Sequence, residues 1–380
     1  MAAAGVVTRR ATVAALAGAA VLPALRAARA SAWQTASPQD AGFVPDLAAR
    51  LDAGVRAGLL DGLHAVVVSR DDRLVLERYY PGADESLGVP LGRVTFGSTT
   101  LHDIRSVTKS IVGLLYGIAL DRKLVPPPQA PLLEHFPEYP DLAADPARAT
   151  LTVGNALTMT LGFAWNESRS YADPENSERA MEDAPDRDRY ILSRPIVAAP
   201  GTKWIYCGGA VALLAALIAR GSGMTLQDFA RQALFEPLGI TAVAWHAGRD
   251  GVAMAASGLR LRPRDLLRIG TLVLANGAWQ GRQVVPRAWL DASFRPAIAT
   301  AFAGIAYGRL WYLGEAAAPG RDGPHRWMAG FGNGGQRLWL MPDAGLAVAI
   351  LCGNYNRPDQ AVTPLRVWKE IVLGNLRLGQ

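Results

Sequence analysis

The chain is predicted to form an α+β fold in which both of its ends contribute to one sheet and its middle forms a helical lobe. Three features carry this. Strand-like segments occur near residues 63–80 and again from about 300 to 352. Helical periodicity dominates between them, and Gly and Pro punctuate the connections. With 380 residues, half of them hydrophobic and 19% charged, the chain has the composition of a large globular core and not of a disordered one. The expected division is an export signal at 1–32 and a single domain at 33–380. Within that domain 33–105 and about 300–380 build the sheet part, and about 106–300 the lobe. A cleft is expected at the junction.

In chain order, "DLAARLDAGVRAGLL" spaces its apolar residues as a helix does, and "HAVVVSRDDRLVLERYY" reads as two strands about an Asp71-Asp72 turn. From Ser106 to about Arg122 the run is almost wholly apolar, which predicts a buried helix ended by Pro126–Pro128. Three further helices are expected in "GAVALLAALIARGSG", "TLQDFARQALFEPLG" and "RPRDLLRIGTLVLANG". Strands return at "IAYGRLWYLG", "GGQRLWLMP" and "LAVAILCG", before a closing helix from about Pro364.

Residues 1–32 hold Arg9, Arg10, Arg26 and Arg29 and no acid, followed within the segment by an apolar run and by small residues at Ala28, Ala30 and Ala32. This is the pattern of a cleaved export signal, and the paired arginines suggest the twin-arginine type, so a periplasmic or secreted protein is expected. The apolar run, interrupted by Pro23, is shorter than the ~20 residues a span requires, and no membrane span is expected in the mature chain. Removing these four charges from the formal +6 leaves +2, no surplus of the kind that marks a nucleic-acid-binding surface. Two cysteines, Cys207 and Cys352, exclude a disulfide framework or a cysteine-rich metal site, and the five histidines show no ligand spacing. Neither a metal nor a cofactor is expected.

The chemistry points to Ser106 and Lys109. Among 14 serines and four lysines, this spacing arises by chance roughly 0.15 times in such a chain. Positions i and i+3 share a helix face, so the amine reaches the hydroxyl, and burial that disfavours the ammonium would leave a neutral lysine able to act as base. The same pattern also fits Ser106 as an N-cap with Lys109 on a solvated face. Tyr206, between Pro200-Gly201 and Gly208-Gly209, sits on a short excursion ahead of a helix. In "GFGNGGQRLWLMP", glycines ahead of a strand permit close backbone approach, although Asn333-Gly334 is equally a hairpin turn.

Together these stretches, with "LTMTLGFAW" and "PGTKWIY", resemble the serine hydrolases of the penicillin-recognising superfamily. These are the class C β-lactamases, the D-alanyl-D-alanine carboxypeptidases, and their esterase and 6-aminohexanoate-dimer-hydrolase relatives. The resemblance runs from about 40 to 375 and implies a β-lactamase-like fold, an antiparallel sheet flanked by helices. It implies that Ser106 is the nucleophile, Lys109 its base and Tyr206 the proton shuttle to the leaving group. The backbone N–H groups of Ser106 and of Asn333, which follows Gly332, would form the oxyanion hole.

Two departures from the family pattern bear on substrate. Gly208 stands where the family's Y-x-N motif carries an asparagine that contacts the lysine. Gly330-Phe331-Gly332 stands where a lysine or histidine precedes the strand glycine, so the carboxylate-gripping cation is absent unless Arg337, Arg326 or His325 replaces it. Phe331 suits an apolar acyl or alcohol group. Residues 163–192 hold eight acids against four arginines, an excess of four negative charges that reads as a solvated surface. If that segment borders the cleft, Trp165 and Tyr171 would cover substrate. The implied activity is hydrolysis of a small-molecule ester or amide through an acyl-enzyme; a β-lactamase or carboxypeptidase, and a catalytically weak ligand-binding relative, are the alternatives.

Overall fold

The computed structural model describes residues 1–2, 33–171, 173–317 and 323–377; nearly all of the expected export signal lies outside them. Helix α1 (Leu47–Arg56) is followed by β1 (Leu63–Arg70) and β2 (Arg73–Tyr79), joined by the expected tight turn. Asp71 and Asp72 adopt φ of 48° and 60°, the left-handed pair that a twisted two-residue hairpin demands. The remaining sheet strands come from the other end of the chain. They are β3 (Ile298–Ala299), β4 (Ala306–Tyr307), β5 (Tyr312–Ala317), β6 (Pro324–Gly332), β7 (Gln336–Met341) and β8 (Leu346–Cys352). All pair antiparallel in the order β3-β4-β5-β6-β7-β8-β1-β2, and β1 meets β8 through Leu63↔Cys352 to Arg70↔Leu346. Every residue of β8 is buried, because this strand lies between two others and is covered on both faces.

Helix α2 (Val107–Asp121) and α4 (Pro263–Leu274) cover one face; a Cβ on Gly270 of α4 would stand 2.9 Å from Leu340. On the other face the C-terminal helical segment stacks Trp368 on Trp339, rings 5.2 Å apart, and α1 packs against it. Helix α3 (Gly208–Ser222), ended by left-handed Gly223, packs on α2. Helix α2 is buried from Val107 to Ala119, as its apolar run predicts.

The structure refines three expectations. "IAYGRLWYLG" is two strands and not one: Gly308 lies so close to the Ser293 carbonyl that no side chain fits, and Leu310 at φ 63° turns the chain back. Gly330 and Gly332 precede β7 as expected and also lie within β6, and the turn between the two strands is Asn333-Gly334-Gly335, with both glycines at positive φ. The helix at 226–235 changes to a wider π turn at Arg231. Among the described residues no single helix is long and apolar enough to cross a membrane.

Candidate active site

Ser106 occupies the N-cap position of α2, yet its side chain makes no capping bond. Its hydroxyl instead faces Lys109 Nζ at 3.0 Å, which removes the reading in which serine merely caps the helix and lysine is solvated. Arg105, just ahead of it, is held in the left-handed region at φ 48° by Glu85, by Asp103 and by the Tyr355 ring. Such strain persists only where the surroundings over-determine it.

Tyr206 lies in the segment before α3 and is pinned from below. Ile205 N–H donates to Met159 O (2.9 Å), Cys207 N–H meets Met159 Sδ (3.3 Å), and Gly201 N–H donates to Thr160 O (2.8 Å). The "LTMTLGFAW" stretch is therefore the platform that presents the tyrosine. The Tyr206 phenol lies beside the Ser106 side chain, and Lys109 Nζ stands 4.6 Å from its ring centre. Burial raises the phenol above its ordinary range, against the pull of the nearby ammonium, so it is a proton donor near neutrality.

Lys109 corrects the expectation of a burial-lowered amine. Burial is the largest single influence and opposes the charge, but Glu167, Tyr206 and Glu178 together outweigh it and hold the ammonium well above the ordinary lysine value. Its three N–H bonds are all used, to Ser106 Oγ (3.0 Å), Ala256 O (3.2 Å) and Glu167 Oε2 (3.5 Å), with Glu178 Oε2 at 3.8 Å.

The two glutamates were missed from sequence, because they belong to the acid-rich segment that reads as solvated surface. Trp165 and Tyr171, expected to cover substrate, serve them. Trp165 Nε1 donates to Glu167 Oε1 at 2.5 Å, and the Tyr171 hydroxyl lies against Glu178 and 3.3 Å from Ser257 Oγ. Ser257 Oγ donates to Glu178 Oε1 at 2.5 Å. Burial, set against Lys109, pushes Glu167 up to about 7, with Glu178 beside it adding to the rise. Burial also pushes Glu178 upward, but Lys109, Ser257 and Tyr171 outweigh it and hold that carboxylate below its usual range.

On the sheet side, Gly330 and Gly332 let β6 lie directly on the start of α2. A Cβ at 330 would stand 3.0 Å from Val107 Cγ1, and one at 332 would stand 2.6 Å from Ile104 O. This packing sets Gly332 beside the residues that lead into Ser106, and Asn333, which follows it, is tied through its side chain to Asn356. Phe331 stacks on Tyr312 (4.5 Å), and the buried Arg337 guanidinium covers its ring at 4.7 Å while Nη1 donates to Gly332 O and Gln336 O. Burial lowers Arg337 to about 10. Arg326 and His325 lie near the start of the same strand, bonded to Phe294 O and Asp343.

His64 and His102, distant in sequence, meet with Nδ1 and Nε2 2.9 Å apart and Asp84 alongside. His102 Nδ1 bonds the Asp103 carbonyl, so the pair braces the segment entering Ser106. Cys207 and Cys352 are free and buried.

A mixed fold of this topology, with a serine, lysine and tyrosine gathered at one helix start, belongs to a class of serine hydrolases. The chain is a member of the beta-lactamase family, whose sequence pattern matches residues 47–370. It is 25% identical over 287 residues to the 6-aminohexanoate-dimer hydrolase of Paenarthrobacter ureafaciens, covering 70% of this chain and 69% of that protein. It shares its fold with EstCE1, a hydrolase with promiscuous acyltransferase activity (TM-score 0.69, 14% identity, 87% of this chain and 99% of that one). The octameric penicillin-binding protein homologue of Pyrococcus abyssi is also similar (TM-score 0.63, 17% identity, 86% and 77%).

Proposed function

We propose that the chain hydrolyses a small-molecule ester or amide through an acyl-enzyme formed on Ser106. The observation that carries this reading is the 3.0 Å contact between Lys109 Nζ and a Ser106 hydroxyl that does no capping and lies beside the Tyr206 phenol. In this reading Ser106 Oγ attacks the carbonyl carbon, and its proton leaves toward Lys109. The N–H groups of Ser106 and Asn333 stabilise the oxyanion. Tyr206, a protonated phenol, delivers a proton to the departing alcohol or amine, and water then attacks the acyl-enzyme by the same route in reverse. Gly332, Phe331, Trp165, Tyr171 and Gly208 shape the surroundings of the reacting group. Gly330 offers no cation for a carboxylate, which favours neutral esters or amides over β-lactams and peptides. The named activities of the relatives, 6-aminohexanoate-dimer hydrolysis and acyl transfer, agree with this chemistry.

The decisive experiment is fluorophosphonate labelling with intact-mass analysis, beside turnover of a panel of esters, short amides and a chromogenic cephalosporin. Labelling and ester or amide turnover that vanish in Ser106→Ala are expected. A substrate adduct on that variant would refute the assignment, and cephalosporin turnover would favour the β-lactamase reading.

We also propose export, with cleavage after Ala30 or Ala32, on the strength of the paired arginines and the small residues that end the apolar run. Retention of residues 1–30 in protein isolated from its source would contradict it.

A further inference from the structure

We infer that Glu167 is the positioning residue of the reaction centre, acting through Lys109 as the terminal acceptor of the proton that leaves Ser106. The inference rests on the hydrolase reading above and resolves a difficulty in it. An ammonium whose three N–H bonds are all donated has no lone pair with which to take a serine proton. It must first give one away, and of its three acceptors only Glu167 can hold it: Ala256 O is an amide carbonyl, and Ser106 Oγ is the nucleophile itself.

Glu167 is built for this. Its side chain is only 9% exposed, and three donors converge on it: the Trp165 indole and the Gly208 N–H on Oε1, and Lys109 on Oε2. Those three donors favour the carboxylate, while the Glu178 carboxylate beside it offers an acceptor to a proton on Glu167. Gly208 makes room for it. A Cβ at 208 would stand 2.9 Å from Glu167 Oε1 and 3.3 Å from Glu178 Cδ, so the carboxyl groups occupy the space a side chain at that position would take. Glu178, fixed by Ser257 and Tyr171, stands behind as a second negative charge that raises the affinity of Glu167 for a proton. The groups facing Glu167 are therefore Lys109 from α2, Tyr171 from its own loop, Glu178 from the short helix Ser177–Asp183, Tyr206 and Cys207 from the segment before α3, and Tyr307 from β4.

The relay balances. Lys109 passes a proton to Glu167 Oε2, rotates about Cε–Nζ, and takes the Ser106 hydroxyl proton as Oγ bonds to the substrate carbon. Serine has lost one proton, Glu167 has gained one, and Lys109 ends as the ammonium it began as. When Tyr206 protonates the leaving group, Lys109 replaces the phenol proton and Glu167 returns its own to Lys109, which restores the starting state.

The relay needs ionised Glu167, so kcat/KM should rise with pH through about 7. The test compares wild type, Glu167→Gln and Glu167→Asp on one neutral nitrophenyl ester from pH 5 to 9, with circular dichroism to check folding and fluorophosphonate to count reactive Ser106. Glu167→Gln is expected to lose about 10²-fold or more in kcat/KM and the inflection near neutrality with it; Glu167→Asp should keep an inflection at a displaced pH. A Gln variant within about threefold of wild type, or a slow one that keeps the wild-type inflection, overturns the relay. If Gln does not fold, Asp decides, a displaced inflection supporting the relay and an unmoved one overturning it. A wild type that takes no label at Ser106 sinks the hydrolase reading and the relay together, whereas a labelled wild type with an unaffected Gln variant sinks the relay alone.

Discussion

Gly208 and Glu167 share one small volume: the Gly208 N–H donates to Glu167 Oε1, and a methyl group on that glycine would stand 2.9 Å from the same oxygen. The absent side chain at 208 and the buried carboxylate are thus complementary features of one site.

Gly208→Ala should consequently move the Glu167 carboxylate away from Lys109, while the close approach of the new methyl to Ala256 Cβ (3.0 Å) is offset by the gain in helix propensity. Alanine is the better helix former at this first position of α3, by up to ~1 kcal/mol. A thermal midpoint within a few degrees of wild type, with kcat/KM reduced about tenfold or more, is the expected result. Unchanged kinetics on a neutral ester would show that the tight approach has no bearing on the reaction.

Lys109→Met keeps side-chain volume and removes the cation, leaving Glu167 and Glu178 buried together. Breaking a buried pair this way costs ~3–5 kcal/mol when the remaining charges cannot be neutralised. An acid whose folded value lies above its unfolded one ionises first in the unfolded chain. Stability is therefore fully present below the unfolded value, near 4.5, and falls as pH rises toward the folded one. Glu167, pushed up to about 7, gives wild type a modest loss of this kind between about pH 4.5 and 7. The variant should lose more, and over a window extending further upward. Denaturant midpoints at pH 5 and pH 8 measure it; equal pH sensitivity in the two proteins would count against the ion cluster.

Gly330→Ala tests the packing of β6 on α2. The added methyl would meet Val107 Cγ1 at 3.0 Å and Ser110 Oγ at 3.1 Å, two atoms of a buried helix with little freedom to retreat. Overpacking of this degree costs ~1–3 kcal/mol, and the strand end carrying Asn333 should shift with it. Both a lower thermal midpoint and a reduced acylation rate are expected, read from calorimetry and from fluorophosphonate labelling kinetics.

The residues that sequence made legible are those whose signals are local. Ser106 and Lys109 share a helix face, Tyr206 is bracketed by Pro-Gly and Gly-Gly, and the apolar run of α2 announces its own burial. Glu167 and Glu178 left no such trace, because an acid in a charged loop looks the same whether it points to water or to a buried amine. The available clue was negative: glycine at 208 meant a space beside Lys109 that something else had to fill. Gly330 and Gly332 were read as preceding a strand because Asn333-Gly334 is a strong turn signal, whereas the long pairing of β6 with β5 and β7 is a tertiary fact. The fall in lysine basicity expected from burial failed for the same reason, since desolvation is visible in an apolar sequence and counter-charges brought from elsewhere in the chain are not.

The pairing of β1 with β8 joins residues 63–70 to residues 346–352, so nearly three hundred residues separate the two sides of one ladder. While the chain is being synthesised, β1 has only β2 for company, and a lone hairpin is marginal in water. Its other edge stays open until β8 has emerged. The nascent protein therefore carries an unfinished apolar sheet edge while all the intervening residues are made, a state in which non-native association is easiest. Loss of residues 346–352 would leave that edge without a partner, and the candidate reaction centre, seated on the same sheet, without its floor.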